Sequence, residues 1–211
     1  DYITARITTE MNSANDNPLF FPELGVSHQG AHFHGQPVAL PLDVLAISLT
    51  EIGVLSERRL NRLLDPARSN GLTPFLANHD AGLRCGLEGA QYEATSLVAE
   101  CRTLSNPASV QSIPSNGENQ DVVSMGSDAA LFTAKVVDNA FILLTIETIT
   151  LLQTVDFLKT YSKLSRSSQK LYIDLRKLFP KIVEDRVITD KLHKTKNFIE
   201  YSLDSENFSK V

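Results

Sequence analysis

The segment at residues 122–160 constrains the fold more than any other part of this sequence. Apolar side chains lie on nearly every side of a helix drawn through it: Leu131, Phe132, Val136, Val137, Phe141, Leu144, Ile149 and Leu152. A helix of this kind is normally buried, because it has no broad polar side to face water. Its longest unbroken apolar run, 140–144, is too short to span a bilayer. The segment therefore predicts the central helix of an assembly larger than this chain, with no membrane contact.

Apolar residues recur with helical spacing through most of the remaining chain. The other predicted helices are 1–13, 37–64, 81–105, 167–179 and 189–202. The helix at 37–64 is expected to bury a stripe of Leu42, Leu45, Leu49, Ile52 and Leu55. The helix at 81–105 is expected to bury Leu83, Leu87, Ala90, Ala94, Leu97, Cys101 and Leu104. Turn-forming residues predict loops at 19–35, 71–80 and 106–119, with a short extended segment at 19–21. The pattern predicts an all-α fold built on long packed helices.

Charge is unevenly distributed along the chain, whose formal net charge is −5. Lysine and arginine are concentrated at 159–198, where apolar residues such as Leu171, Leu175 and Ile182 interrupt them. This alternation predicts a solvated helical face. The alternative is a surface that binds an anion, such as nucleic acid or an acidic partner. On that alternative the protein would be a helical scaffold rather than an enzyme.

Cysteine usage indicates the compartment. The sequence contains only Cys85 and Cys101, which make no disulfide framework, so a reducing compartment is expected. Both fall on predicted helix faces and are interpreted as small core residues. No leader with a basic start and an apolar core is visible at the beginning of the sequence. We therefore expect a cytoplasmic protein.

The stretch GAHFHGQPVA at 30–39 places His32 and His34 on either side of Phe33, with His28 four residues before His32. Two histidines one residue apart could hold a metal ion if the backbone is extended. Few carboxylates lie nearby, so structural histidines are the preferred interpretation and no metal is expected.

Other polar residues have local structural explanations. Asp16, Asp65, Asp80 and Asp121 stand at predicted helix boundaries, where aspartate commonly caps a helix or forms a turn. The run Glu57, Arg58, Arg59 could bind an anion, but a salt bridge between helices is the preferred interpretation. No glycine-rich phosphate loop, nucleophile elbow or zinc pattern occurs. The segment IPSNGENQDVVSMG at 113–126 is polar with little charge and precedes the apolar helix, which suits the lining of a ligand pocket.

Six stretches, in this order and spacing, resemble the histidine ammonia-lyase family, which includes phenylalanine and tyrosine ammonia-lyases and related aminomutases. They are NSANDNPLFF (12–21), GAHFHGQPVA (30–39), EIGVLSERRLNRLLDP (51–66), GLTPFLAN (71–78), NPASVQSIPSNGENQDVVSMG (106–126) and the long helix that follows. The resemblance implies an all-α, long-helix bundle of the ammonia-lyase type, similar to that of fumarase and aspartase. It further implies that 1–158 is the C-terminal part of the central helical-bundle domain, and that 159–211 forms short C-terminal helices.

The resemblance also implies a reaction. Members of this family are carbon–nitrogen lyases that eliminate ammonia without oxidation, so that L-histidine gives urocanate. Their electrophile is a methylidene-imidazolone (MIO) group formed from an internal Ala-Ser-Gly, and the family assembles as homotetramers. This sequence contains no Ala-Ser-Gly and no Gln-Asp-x-Tyr-Ser-x-Arg. We therefore expect the C-terminal portion of such an enzyme, inactive by itself, whose partners are an amino acid substrate and further copies of the same protein. No metal and no nucleic acid are expected.

Two positions match the family's substrate pocket. Phe33 matches the phenylalanine of the G-x-F-H stretch, and Gln120 stands where histidine-specific members typically have glutamate and aromatic-specific members glutamine. A neutral amide suits an uncharged ring better than a carboxylate would, so tyrosine or phenylalanine ammonia-lyase or aminomutase activity is the alternative to histidine. No catalytic residue is assigned within this chain. Membership of the fumarase and aspartase group is disfavoured, because the chain lacks its G-S-x-x-M-P-x-K-x-N loop.

Overall fold

The computed structural model describes residues 1–204. Residues 205–211, the end of the predicted C-terminal segment, lie outside the described part. The α-helices are α1 (Tyr2–Met11), α2 (Gln36–Leu64), α3 (Glu88–Leu104), α4 (Gly126–Leu158), α5 (Arg166–Leu178) and α6 (Thr189–Asp204). Short 3₁₀ helices occupy His32–His34, Pro74–Leu76, Ala108–Val110 and Tyr161–Lys163. The predicted all-α class is confirmed, and α1, α2, α5 and α6 match their predicted positions closely.

The described chain forms two compact units. The first consists of Asp1–Thr50 and Cys101–Val137, and the second of Glu51–Glu100 and Asp138–Val211. Each unit contains part of α2, α3 and α4. The boundary predicted at residue 158, between a bundle domain and short C-terminal helices, stays a prediction.

The second unit contains the larger apolar core. Its buried side chains come from α2, α3, α4 and the segments that follow: Leu60, Leu64, Leu72, Leu76, Leu87, Ala90, Ala94, Val98, Leu143, Ile146, Ile149, Phe179, Ile182 and Leu192. A β-carbon on Gly53 would lie 3.0 Å from Leu143 Cδ1, so glycine lets α2 and α4 approach closely here. The first unit has two small clusters, centred on Ala39, Ala108 and Ala129 and on Ala46, Cys101 and Val136. Small residues thus form much of the contact surface of α2.

The predicted buried stripe on α2 is wrong at its C-terminal end. Ile52 and Leu55 are exposed, whereas Gly53, Ser56 and Glu57 are buried. The reason is that the close approach at Gly53 and the polar contacts of the Ser56–Glu57 region determine the inward face. Apolar periodicity by itself selected the wrong side of the helix.

The predicted start of α3 is also wrong, because the helix begins at Glu88 rather than near residue 81. Gly82 and Gly86 have left-handed φ values of 105° and 54°, which a helix cannot contain. In the same stretch Leu83 is 85% exposed and Cys85 is exposed. The prediction that these two residues belong to the core is therefore wrong. Cys101 is buried in α3, as predicted.

Asp185 explains why the chain stays irregular before α3. Its carboxylate accepts backbone hydrogen bonds from Cys85 N at 2.8 Å and Gly86 N at 3.0 Å. The neighbouring Glu184 forms an ion pair with Arg84. A helix that began near residue 81 would need the N–H groups of Cys85 and Gly86 for its own hydrogen bonds. Here both bind the Asp185 carboxylate instead. The segment at 80–87 is therefore held by residues about one hundred positions away.

The Asp185 contact gives an expected acid dependence. The hydrogen bonds from Cys85 and Gly86 hold the pKa of Asp185 below its ordinary 3.8. A carboxyl with a lowered pKa stabilises the fold above its unfolded pKa, and this contribution is lost as pH falls through the folded pKa. We expect Asp185→Asn to lower the melting temperature at pH 6, and the gap from wild type to shrink below about pH 4. Thermal unfolding between these values measures the effect, with Glu93→Gln, an exposed change on α3, as the control. An equal gap at every pH would contradict this prediction.

A short hairpin precedes α2. The strands are β1 (Leu19–Phe21) and β2 (Val26–His28), which pair antiparallel with Phe20 opposite Ser27. The extended segment predicted at 19–21 is confirmed, and β2 was not predicted. Gly25 has φ 63° in the connecting turn, a conformation that favours glycine.

Two stretches, His32–Leu64 and Gly126–Leu158, are long and apolar enough to cross a membrane by length and composition. Core helices of globular proteins meet the same criterion, so the test does not identify a span. Both helices bear buried acidic side chains, Glu57 and Glu147. The absence of membrane contact stays a prediction.

Candidate functional site

Phe33 lies in the 3₁₀ helix His32–His34, immediately before α2. This turn ends at Gly35, whose φ is 76°, and a β-carbon there would lie 3.2 Å from Ser124 Oγ. Glycine therefore provides both the left-handed backbone and the close approach to Ser124. The Phe33 side chain is 49% exposed, so it borders open space rather than the core.

Gln120 lies at the end of a closed loop. Asn116, Gly117 and Glu118 all have left-handed φ values, between 53° and 65°, and they reverse the chain direction. Backbone hydrogen bonds of 3.0 and 3.2 Å then join Ser115 and Gln120 in both directions. Gln120 is half-buried. The backbone that carries the Gln120 side chain is therefore held in place by the hydrogen bonds to Ser115.

The turn that bears Phe33 and the loop that bears Gln120 meet in the first unit. His34 Nε2 lies 3.1 Å from the carbonyl oxygen of Val122, and this contact is a hydrogen bond. An open cavity of about 420 Å³ is lined by Phe33, His34, Gln120, Val123, Ser124, Met125, Gly126, Ser127 and Asp128. The structure therefore brings both predicted substrate-binding residues to one cavity. Their role in binding substrate stays a prediction.

Two contributors to this region were not predicted from the sequence. Asp128 lines the cavity from the first turn of α4, where the helix dipole stabilises a negative charge. Asp43 is buried in α2 and accepts hydrogen bonds from Ala108 N at 3.1 Å and Ser109 N at 3.0 Å. A single acid within the apolar stretch ALPLDVLAIS was the available signal for Asp43, because a buried carboxylate needs partners.

The metal alternative concerns His32 and His34, with His28 four residues before His32. His28 lies in β2, where its ring stands edge-on to Phe21 with centroids 5.5 Å apart. Nε2 of His34 forms a hydrogen bond with the Val122 carbonyl. Among the side chains that the structure describes, no group of three or more from histidine, cysteine, aspartate and glutamate is arranged to hold a metal ion.

The Glu57–Arg59 run forms ion pairs in the second unit. Arg59 on α2 binds Glu147 on α4 through two hydrogen bonds of 2.6 and 2.9 Å, and Ser56 donates to the same carboxylate at 2.6 Å. Arg58 pairs with its neighbour Glu57. The predicted salt bridge between helices is confirmed at Arg59.

The predicted boundary aspartates have short-range contacts. Asp65 accepts a hydrogen bond from Ala67 N, while Asp16 and Asp121 each accept one from the following backbone N–H. Asp80 contacts the ring of His79. The contacts of Asp16, Asp65 and Asp121 with nearby backbone N–H groups fit the predicted cap or turn role, whereas the contact of Asp80 with His79 does not test it.

Comparison with known proteins decides the family. The sequence model described as aromatic amino acid lyase matches residues 1–177. This chain belongs to that family. The chain spans only about a third of the length of the curated relatives that it matches, between 34% and 37% in the three cases described next.

The relatives have different named activities. Tyrosine ammonia-lyase of Cupriavidus metallidurans is 45% identical over 91% of this chain and 36% of its own length. The MIO-dependent tyrosine 2,3-aminomutase of Streptomyces globisporus is 46% identical over 89% of this chain and 34% of its own. Histidine ammonia-lyase of Staphylococcus saprophyticus is 45% identical over 88% of this chain and 37% of its own length. Identity at this level does not separate the substrates.

Solved structures agree with the fold. Tyrosine aminomutase from Streptomyces globisporus has a TM-score of 0.86 at 44% identity, over 93% of this chain and 37% of that one. Histidine ammonia-lyase from Trypanosoma cruzi has a TM-score of 0.87 at 35% identity, over 96% of this chain and 40% of that one. The predicted family and its helical architecture are therefore confirmed.

Proposed function

We propose that the protein to which this chain belongs eliminates ammonia from an amino acid with a planar side-chain ring. One observation carries the proposal: Phe33 and Gln120 line the same open cavity, in a chain of the aromatic amino acid lyase family. Phe33 offers an apolar surface to a ring, and Gln120 offers an amide to a polar group on it. Both are substrate-binding rather than catalytic residues in this proposal.

L-histidine, which would give urocanate, is the first candidate substrate. The cavity lining includes two kinds of acceptor for an imidazole N–H, the amide oxygen of Gln120 and the carboxylate of Asp128. Tyrosine or phenylalanine is the second candidate, because the neutral amide of Gln120 suits an uncharged ring better than a second carboxylate beside Asp128 would. An aminomutase acting on the same substrates would give a β-amino acid instead.

The MIO group would come from outside this chain, which contains no Ala-Ser-Gly. The described residues that line the cavity fit such a group, because they include no cysteine thiol and no lysine amine that would attack an electrophile, and Nε2 of His34 is bonded to the Val122 carbonyl. When bound, the group supplies the electrophile that activates the substrate for loss of ammonia. Phe33 and Gln120 would orient the substrate ring, and Phe33 would exclude water from that side.

We also propose that the whole protein is a homo-oligomer, with a tetramer as the expected form. Leu40, Val44 and Ile47 are exposed at helical spacing on α2, and they form an apolar strip within the first unit. Burial of such a strip stabilises association. Sedimentation of the full-length protein measures the mass, and a monomer at micromolar concentration would contradict this proposal.

The test is a parallel assay of the full-length protein with histidine, tyrosine and phenylalanine. Formation of the conjugated product is followed by absorbance, and chromatography distinguishes a β-amino acid from an unsaturated acid. The 211-residue chain is assayed beside it and is expected to give no product, because the source residues of the electrophile are absent. No turnover by the full-length protein would favour the scaffold alternative.

The scaffold alternative has its own measurement. A basic surface that binds a polyanion would lose affinity steeply with added salt. Several cations of the 159–198 stretch already form ion pairs, including Arg176 with Asp156, Lys177 with Asp174, and Lys196 with Glu200. We expect weak polyanion binding.

Gln120→Glu tests the role of the amide. We expect the ratio of kcat/KM for histidine to that for tyrosine to rise by about tenfold or more, since hydrogen bonds to charged groups are worth roughly 1.5–3 kcal/mol. The variant is measured on both substrates, with Glu118→Gln, an exposed change in the same loop, as the control. An unchanged ratio would remove Gln120 from substrate selection.

A further inference from the structure

Among the described residues, the bond between His34 and Val122 is the single hydrogen bond that joins the turn at 32–34 to the loop at 112–125. Val122 contributes a carbonyl oxygen, which only accepts, so His34 Nε2 must donate. The two segments also approach each other at Gly35, where a β-carbon would lie 3.2 Å from Ser124 Oγ. His34 itself lines the cavity, so its bond joins the two segments at the cavity wall.

We propose that His34 is a positioning residue. Its hydrogen bond to Val122 holds the loop that bears Gln120 at a fixed distance from the turn that bears Phe33, and so sets the width of the substrate cavity. Phe33 immediately precedes His34, and Gln120 lies two residues before Val122. The inference rests on the proposed function, because it assigns His34 a part in binding the same substrate.

The loop depends on such an anchor for physical reasons. Three successive residues at its tip have left-handed φ values, a conformation that residues other than glycine adopt at some cost. Internal bonds close the loop, from Gln120 N to Ser115 O and from Val123 N to Ser112 Oγ. These bonds define its shape but do not attach it to the turn at 32–34. The His34 bond provides that attachment, across 88 residues of sequence.

Three variants of the full-length protein test the inference. His34→Leu removes the donor, and His34→Gln keeps an N–H donor at a similar distance from the backbone. His32→Leu is the matched control: this exposed histidine lies two residues away and makes no hydrogen bond that the described structure records. Steady-state kinetics give kcat and KM for each variant, and hydrogen exchange of the peptide covering 112–125 reports on the loop.

We expect His34→Leu to raise KM about tenfold with kcat changed less than about threefold, the loss expected for one hydrogen bond used in binding. Exchange at 112–125 should become faster in the same variant. His34→Gln and His32→Leu should resemble wild type in both measurements. Rescue by glutamine would separate positioning from general packing, since leucine fills similar space without donating.

The outcomes that overturn the inference are distinct from failure of the proposed function. Unchanged exchange in His34→Leu would show that the bond does not hold the loop. Faster exchange with unchanged KM would show that the loop position is irrelevant to binding. If wild type turns over none of the three amino acids, the proposed function fails, and unchanged exchange would still overturn the attachment separately.

Discussion

Replacing Gly86 with alanine is expected to destabilise the full-length protein by about 3 kcal/mol or more. A β-carbon at this position would lie 2.5 Å from the Phe75 carbonyl oxygen and 2.9 Å from Ala77 N. Both obstacles are backbone atoms, so no side chain can rotate away. Gly86 also has φ 54°, which adds the cost of a left-handed conformation. The variant should show a lower melting temperature and a lower soluble yield.

Gly25→Ala is the matched control for this experiment. Gly25 has a similar φ of 63°, but a β-carbon there would meet nothing within 4 Å. Its substitution should therefore cost only the conformational part, about 1–2 kcal/mol. The difference between the two variants in the free energy of unfolding measures the cost of the steric contact with Phe75 and Ala77. Equal losses would show that this backbone packing contributes nothing.

Phe179→Ala is the second change with a large expected effect. Phe179 follows α5 and is completely buried in the core of the second unit, together with Ile182 and Leu192. Truncation removes the transfer free energy of the ring and leaves a cavity, which together cost about 3–5 kcal/mol. Urea-induced or thermal unfolding of the full-length protein should show this loss directly.

Phe20→Ala provides the comparison for Phe179. Phe20 lies in β1 with 72% of its surface exposed, so its truncation should change stability by less than about 0.5 kcal/mol. If both variants unfolded at the same temperature, the segment after α5 would not be part of the core in solution. The result therefore tests whether the chain beyond the family match at residue 177 belongs to the fold.

The arrangement of the candidate site depends on contacts between distant segments. Asp43 on α2 holds the 3₁₀ helix Ala108–Val110, and His34 contacts Val122. Both contacts lie in the first unit and join the stretch before or within α2 to the loop before α4. The cavity that contains Phe33 and Gln120 is therefore a product of long-range hydrogen bonds on a helical frame.

The sequence by itself determined the helices, the family and two residues of the cavity. Helical periodicity located α2 and α4 within a few residues, because spacing and chain breakers are local properties of the chain. The ordered motifs identified the family, which the match over residues 1–177 confirms. They also selected Phe33 and Gln120, although no periodicity argument would have paired residues so far apart.

Only the tertiary structure decided where α3 begins, which side of α2 is buried, and what holds the Gln120 loop. The start of α3 depends on Asp185, about one hundred residues from Cys85 and Gly86, whose backbone N–H groups it binds. The inward side of α2 depends on the close approach of Gly53 to Leu143. Each of these features results from a pairing between distant residues, and such a pairing leaves no signature in the local spacing of either partner.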